Sequence, residues 1–343
     1  MTRVLLTGGS GFLGINLAKK LLEKGQDVKI YDTRPPTGIR SEVEYINGDI
    51  REREKLEKAL TGVHIVYHTI ALVPISNAGK AFWEINVEGA EIAASVALNK
   101  GVERFVHISS SSIYDLGGSM PLTEKSAVKK DAGGYEGTKY HGELRIQKLI
   151  KAGLAATIIR PRTIIGPGRG GIFQILYDWI MRGKRVYIIG KGDNRFQMIS
   201  SSDLCDVCIL AAENDKSVGE VFNIGTDRYG TLKEDLDKLI QNAGTGSEIM
   251  PVPARLAKIP LSILFHLGLS PLVPWHYNSM YRTFYLDITK AKQLLGWEPL
   301  YSNQEMLIES YDWYLEHYKE FETGTSHTQA PDQKILKWLR KIS

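Results

Sequence analysis

Val4-Leu5-Leu6-Thr7-Gly8-Gly9-Ser10-Gly11-Phe12-Leu13-Gly14 joins a short apolar run to a helical pattern that continues from Ile15 to Leu22. A strand that turns sharply into a helix on glycines leaves backbone N–H groups free at the positive end of that helix, where a pyrophosphate can sit. Gly8 and Gly9 are expected to permit the tight turn, and Gly11 to let the backbone approach the phosphates. Gly14 is expected to let helix and sheet pack closely. Phe12 and Leu13 complete the phosphate-facing turn. The next apolar run, Val28-Lys29-Ile30-Tyr31-Asp32, ends in a carboxylate placed to accept hydrogen bonds from an adenosine ribose. Glycine-rich turns are common. With a strand before it, a helix after it and an acid at the end of the next strand, this one reads as a dinucleotide site.

Outward from that stretch, strands and helices alternate. A turn-rich link, Thr33 to Gly38, leads to a third strand at Val43 to Ile46, which ends in Asn47-Gly48-Asp49-Ile50. Helical periodicity runs from Arg51 to Leu60, a fourth strand from Val63 to His68, and a long helix from Ala81 to Asn99. Val102 to Ile108 reads as a fifth strand, Tyr135 to Lys151 as a helix and Ala155 to Arg160 as a sixth strand. That rhythm implies an α/β fold, a Rossmann-type doubly wound parallel sheet whose ligands sit at the carboxyl ends of the strands. Thr7, Asp32, Asp49, His68, Ser109 to Ser112 and Arg160 gather there.

Beyond Pro161 the rhythm loosens. Glycine-rich Gly166 to Gly171 precedes helical Phe173 to Met181, and short strand-like pieces follow at Val186 to Ile189, Gln197 to Ser200 and Val221 to Ile224. Helical stretches at Leu204 to Ala212, Leu232 to Asn242, Ala254 to Leu267 and Gln304 to His317 fill the remainder. The expected division is a cofactor domain over 1–165 and a smaller α/β substrate lid over 166–322, with some segments returning to the core. A linker and basic tail follow over 323–343.

Bulk properties narrow the function classes. The 343 residues are 43% hydrophobic and 24% charged with a net charge of +4, which fits a folded protein and gives no general nucleic-acid surface. No apolar run reaches the ~18 residues of a membrane span, and with a strand beginning within three residues of the first Met no signal peptide is expected. Cys205 and Cys208 have no second pair to complete a zinc site and fall in a helical stretch, so they are expected to be buried small hydrophobes in a reducing cytoplasm; no metal is expected.

Tyr135 and Lys139 lie four apart, on one face of a helix. An ammonium near a phenol stabilises the phenolate and lowers its pKa from ~10 toward working pH, so the phenol can serve as general acid or base on a hydroxyl or carbonyl. The pair alone is common helix surface. The serine run after the fifth strand, Ser109 to Ser112, adds a hydroxyl at the same end of the sheet that can hold the same substrate oxygen.

These features together resemble the extended short-chain dehydrogenase/reductases, including nucleotide-sugar epimerases and 3β-hydroxysteroid-type dehydrogenases. The resemblance runs from Arg3 to about Tyr318. It rests on the glycine turn, Gly48-Asp49-Ile50, Asn86-Val87-x-Gly89, the serine run ending in Ile113-Tyr114 and Tyr135-x-x-x-Lys139. Arg160-Pro161, Gly166-Pro167-Gly168, Asp203 and Lys292-x-x-Leu295-Gly296-Trp297-x-Pro299 extend it. It implies Tyr135 as acid/base, Lys139 as its electrostatic partner and ribose ligand, and Ser110, four residues before Tyr114, as the assisting hydroxyl. It also implies Asp49 and Ile50 beside the adenine, Ser111, Arg160 and Thr163 at the substrate, and a homodimer. Asp32 favours NAD over NADP because a carboxylate repels a 2′-phosphate, with Arg34 pulling the other way. Sugar 4,6-dehydratases carry Thr-Asp-Glu where this chain has Ser110-Ser111-Ser112, and decarboxylating members carry a glutamate nearby, so neither activity is expected. His68 matches a position lining the cofactor cleft, either as a group near the chemistry or as a residue fixing backbone. Gly190 to Gln197 occupies the family's hairpin position, with Phe196-Gln197 where many nucleotide-sugar enzymes have an Arg-Asp pair.

Three functions compete: a sugar 4-epimerase on a nucleotide- or lipid-linked sugar, a dehydrogenase or ketoreductase on a hydroxylated steroid or lipid, and a non-catalytic NAD-binding module. The serine run favours the first; apolar Leu261 to Leu269 and Pro271 to Trp275 favour the second; Ser110, Tyr135 and Lys139 together argue against the third. In the tail, Ile335, Leu336, Leu339 and Ile342 fall on one helical face with Trp338 at its edge, against Lys334, Lys337, Arg340 and Lys341. Such a segment suits either peripheral contact with the inner face of an anionic membrane or docking on protein.

Overall fold

A computed structural model describes residues 2–73, 79–130, 133–267 and 274–322. Its first half runs β1 (Arg3–Thr7), α1 (Phe12–Glu23), β2 (Asp27–Asp32), β3 (Glu44–Asn47), α2 (Arg53–Ala59) and β4 (Ile65–His68). Then come α3 (Ala81–Trp83), a π turn (Glu84–Gly89), α4 (Ala90–Lys100), β5 (Arg104–Ile108), α5 (Gly134–Lys151) and β6 (Ala156–Pro161). The second half comprises β7 (Thr163–Ile165), α6 (Ile172–Met181), β8 (Val186–Ile189), β9 (Met198–Ser200), α7 (Ser201–Glu213), β10 (Val221–Ile224) and α8 (Leu232–Ala243). It ends with β11 (Ile249–Val252), α9 (Ala254–His266), α10 (Pro274–Ser279), α11 (Thr289–Leu295) and α12 (Asn303–Glu322).

Seven strands form one parallel sheet in the order β10-β6-β5-β4-β1-β2-β3. The chain runs from β1 to β3 in one direction and returns across β1 to β4, so the switch point, where such sheets bind ligands, lies between β1 and β4. Alternation along β1 divides the core. Val4 and Leu6 join α1, α7 and α11 on one face, whereas Leu5 joins α2, α4 and α5 on the other. Each fully buried leucine contributes about 1.5–3 kcal/mol relative to exposure, so the sheet is fixed from both sides before any polar group is placed.

The second half divides its loyalties. β10 adds to the main sheet beside β6, and α7 and α11 pack on its face, with Cys205, Cys208 and Trp297 inside that core. Both cysteines are buried and unbridged. A separate core gathers Ile165, Phe173, Tyr177, Val186, Leu236, Leu239, Met306 and Tyr311 from β7, α6, β8, α8 and α12. The expected hairpin at Gly190 to Gln197 does not form: β8 pairs in parallel with β11, and β9 in parallel with β7. Both partners lie far along the chain, and local turn chemistry carries no trace of them. The expected single helix over Ala81 to Asn99 is interrupted by the π turn, where α5 comes so close that a Cβ on Gly142 would collide with the Asn86 carbonyl.

Candidate active site

The glycine turn is built as a cradle. Gly8 takes φ +80°, and its N–H donates to the Tyr31 carbonyl of β2 at 2.9 Å, tying the turn to the neighbouring strand. Gly9 serves a different purpose from the one expected: a Cβ there would meet Ile30 at 2.7 Å, so this glycine admits β2 rather than bending the chain. A Cβ on Gly14 would collide with the Gly8 carbonyl and the Gly9 Cα, so α1 sits directly on the turn. Gly11 caps α1 with no side-chain hydrogen bond, and a Cβ on it would meet only the Gly8 carbonyl at 3.3 Å. The first amides of α1, those of Phe12 and Leu13, are therefore free to bind phosphate oxygens.

Asp32 ends β2 beside this turn. Its Oδ2 accepts the Ser10 N–H at 3.1 Å and its Oδ1 the Arg34 N–H at 3.2 Å, which leaves lone pairs on both oxygens for ribose hydroxyls. Asp49 is held by Arg51, which donates from Nε and Nη2, and this pairing, with backbone help, keeps the carboxyl below the usual carboxylate range. Ile50 is buried against Gly89 at the π turn.

Tyr135 and Lys139 project from the first turns of α5 toward the end of β5, where Ser110 follows Ile108. Ser110 hydrogen-bonds the Tyr135 phenol, and its Oγ also accepts the Ser112 N–H at 3.1 Å. Lys139 is buried, and its Nζ donates to the Ile108 carbonyl at 2.6 Å. Burial holds this ammonium down to about 8, with the nearby Glu143 carboxylate pulling it up. Burial raises the Tyr135 phenol above its ordinary value, against the pull of the Ser110 hydrogen bond and the Arg169 charge. The sequence had pointed to Lys139 as the charge that lowers this phenol. In the structure the lysine is turned to the backbone of β5, and Arg169 is the cation that acts on the phenol.

Beneath these groups lies a closed polar layer. Glu143 accepts from Ser109 Oγ at 2.7 Å and from Arg160 Nε at 3.0 Å, with Arg160 Nη2 on its other oxygen. Arg160 Nη1 donates to the Tyr114 hydroxyl at 2.7 Å and to the Glu124 carbonyl at 3.1 Å. All three Arg160 nitrogens are thus engaged inside the protein. This corrects the expectation that Arg160 meets substrate, because strand-end position does not say which way a long side chain turns. Thr163 is half-buried on β7, with its backbone in register with Met198. Ser111 is buried, and its Oγ accepts from Arg162 Nη1 at 3.3 Å. His68 shares a 2.7 Å hydrogen bond with Thr7 Oγ1 and stacks between Phe105 and His107. Burial and the Lys139 charge push it down to about 3, so it is a neutral packing group.

Three residues escaped the sequence. Glu143 had a signal: Tyr135, Lys139 and Glu143 repeat at four-residue spacing on one helix face. Arg169, whose guanidinium lies 5.3 Å from the Phe12 ring and acts on Tyr135, follows a glycine-rich motif but has no spacing that points to a role. Arg162 had none. Among the described residues no group of three His, Cys, Asp or Glu is arranged to hold a metal.

Comparison with known proteins agrees with this fold. The model of the NAD dependent epimerase/dehydratase family matches residues 4–225. An uncharacterized protein, y4nG, of Sinorhizobium fredii is 39% identical over 97% of this chain and 84% of its own length. A 3-beta-hydroxysteroid dehydrogenase of Mycolicibacterium neoaurum is 27% identical over 92% of each chain. Among solved structures, UDP-glucose 4-epimerase of Thermotoga maritima, with UDP-glucose, shares the fold with a TM-score of 0.78 at 24% identity, covering 92% of this chain and all of that one.

Proposed function

The chain belongs to the NAD dependent epimerase/dehydratase family, and on that premise we propose that it is a sugar 4-epimerase acting on a secondary hydroxyl of a nucleotide- or lipid-linked sugar. The observation that carries this reading is the meeting of Ser110, Tyr135 and Lys139 at the carboxyl end of β5, beside the glycine cradle at the switch point. NAD, when bound, supplies the acceptor and donor of hydride at the carbinol carbon. The Gly11 to Gly14 turn would hold its pyrophosphate and Asp32 its adenosine ribose. Tyr135 takes the hydroxyl proton as the carbinol is oxidised and gives it back on reduction from the other face. Ser110 donates to the same oxygen and keeps it in line. Arg169 supplies the positive charge that acts on the phenol, and Lys139, anchored on Ile108, would reach the second ribose.

The test uses the purified chain loaded with NAD. Adding UDP-glucose should yield UDP-galactose by chromatography with no accumulation of NADH. A chain that binds NAD yet neither inverts nor oxidises any secondary alcohol offered would reduce the reading to a cofactor-binding module.

One observation favours a second reading, a dehydrogenase or ketoreductase of hydroxylated lipids. Helix α9 exposes a stripe of Leu256 (68%), Ile259 (68%) and Ile263 (56%), continued by Leu267, with Arg255 at its start. Such a stripe suits a substrate delivered from a bilayer. Steady NADH release on a hydroxysteroid would support this reading over the first. The basic tail over 323–343, outside the described residues, would reinforce contact with anionic lipid. Deleting it should then reduce sedimentation with anionic vesicles, and equal sedimentation would remove it from the argument.

A further inference from the structure

Arg169 sits in the glycine-rich loop between β7 and α6, its backbone N–H bonded to the Gly166 carbonyl at 3.0 Å. That loop runs against the start of α1. A Cβ on Gly168 would lie 4.0 Å from the Phe12 ring, an ordinary contact, and the Arg169 guanidinium carbon lies 5.3 Å from the centroid of the same ring. Phe12 is the first residue of α1, and its amide is among those that the glycine turn leaves free. Ring and amide belong to one residue, so the guanidinium stands beside the end of the helix where the free amides gather.

This side chain makes no hydrogen bond and no ion pair among the described residues. Nε is buried without a partner, whereas the residue as a whole is only half-buried, so Nη1 and Nη2 are not sealed in. Elsewhere the chain pairs cations that lean on its core, Lys20 with Asp206 at 2.6 Å and Lys29 with Glu44 at 3.2 Å. Beside Arg169 there is no such acid. The Tyr135 phenol is the one group whose charge raises it, and nearby His276 is held neutral, pushed down to about 4 by burial and by Arg169 itself. A partly desolvated cation without an acid costs free energy that a neutral side chain would not. Two sets of idle donors, the first amides of α1 and the Arg169 guanidinium, thus lie within one side chain of each other, and the described residues supply no anion to either.

We propose that Arg169 is a phosphate ligand, which takes the diphosphate of the bound dinucleotide from the loop side while the turn into α1 takes it from the sheet side. The proposal rests on the cofactor, not on the choice between epimerase and dehydrogenase. A diphosphate carries enough oxygens to accept from the α1 amides and from the planar guanidinium edge at once. It would join the glycine turn to loop 166–171 and slow the escape of the dinucleotide. A substrate diphosphate shares this chemistry; the seat of the guanidinium on Phe12, a residue of the turn's own helix, favours the cofactor's.

The experiment compares the nucleotide-free full chain with its Arg169→Gln and Arg169→Lys variants. Calorimetry reads the affinities for NAD, ADP-ribose and adenosine, and stopped-flow fluorescence reads the release of NADH. NAD and ADP-ribose carry the diphosphate; adenosine does not. Arg169→Gln should weaken NAD and ADP-ribose by about ten- to hundredfold and leave adenosine unchanged, which also shows that the variant is folded. Most of the loss should appear as faster release of NADH. Arg169→Lys should recover part of the affinity, because an ammonium cannot make the paired contact of a guanidinium. An unchanged NAD affinity in Arg169→Gln overturns the proposal. Equal weakening of adenosine overturns it too, because the arginine would then support the turn and not the phosphates. UDP added to the NAD-loaded chain reads the substrate side, and a loss confined to UDP overturns the proposal by giving the arginine to the substrate's diphosphate. A diphosphate-specific loss in a chain whose wild type neither oxidises nor inverts any alcohol would leave this proposal standing and sink the catalytic reading. Turnover by the wild type, with NAD affinity indifferent to Arg169, would do the reverse.

Discussion

Arg160 and Arg162 stand two residues apart at the end of β6, and burial pulls the basicity of both guanidiniums down. For Arg160 the Glu143 carboxylate and the Tyr114 hydroxyl more than reverse that pull, leaving it raised. Arg162 has no such partner among the described residues, and burial brings it down to about 9. The first arginine belongs to a layer that the protein completes for itself, from Ser109 through Glu143 to Tyr114 and Asn223. The second is buried between Phe196 and Phe284 with a single side-chain hydrogen bond, to Ser111, and no acid beside it among the described residues. A scaffold can be recognised by polar groups that satisfy one another, and a site by polar groups that do not.

The largest expected effect tests whether Tyr135, with Ser110 beside it, carries the chemistry. Tyr135→Phe removes the transferable proton and keeps the ring, so turnover should fall ~10²–10⁴-fold with NAD binding retained. Assay of an alcohol the wild type oxidises or inverts, alongside a cofactor titration, measures both. Wild-type turnover in this variant would move the acid/base role elsewhere.

Stability should separate the two arginines next. Glu143→Ala strands the buried Arg160 and should cost about 3–5 kcal/mol in urea denaturation. Arg162→Met removes a charge with no acid partner and should be neutral or stabilising by about 1–4 kcal/mol. If Arg162→Met destabilises as much as Glu143→Ala, the contrast between the two arginines is wrong.

That contrast was only half legible in the sequence. The glycine turn, Asp32, the serine run and the Tyr135–Lys139 spacing are local patterns, and local patterns fix strand, turn and helix. Glu143 was visible in principle through its spacing from Lys139. The partners of β7, β8 and β9 were not, because each pairs with a strand reached only by distant tertiary contact. The same reason hid the direction of Arg160 and the solitude of Arg162. A charged residue at a strand end looks alike in sequence whether an acid from another helix meets it or not.

Lys139 offers a pH test of what burial does to a cation. Burial, against the pull of Glu143, holds its ammonium at about 8 in the folded chain, whereas an unfolded lysine titrates near ~10.4. Between those values the unfolded chain binds more protons, so this group makes stability rise with pH across that window and withholds stability below it. Lys139→Met lacks the term. The variant's stability relative to wild type should therefore decline by on the order of 2–3 kcal/mol from pH ~8 to ~10. Chemical denaturation at stepped pH reads the difference, and a flat difference would mean that the lysine is not held down by burial.

Asp32 is intermediate between the two arginines, and the smallest effect is expected there. Its carboxylate is partly spent on the Ser10 and Arg34 amides and partly left for a ligand. The spent half positions the acid against the glycine turn; the remaining lone pairs suit the two hydroxyls of an adenosine ribose. A 2′-phosphate at the same place would set negative charge against negative charge, with only the exposed Arg34 to offset it. NAD should therefore bind more tightly than NADP, and Asp32→Ala should narrow the ratio by about tenfold, mainly by weakening NAD. Loss of the Ser10 contact would loosen the turn for both cofactors alike, so the ratio, read by fluorescence titration, isolates the ribose contact from the support of the turn. A ratio unchanged in Asp32→Ala would place this carboxylate wholly among the groups that the protein satisfies for itself. Tighter binding of NADP by the wild type would hand the discrimination to Arg34.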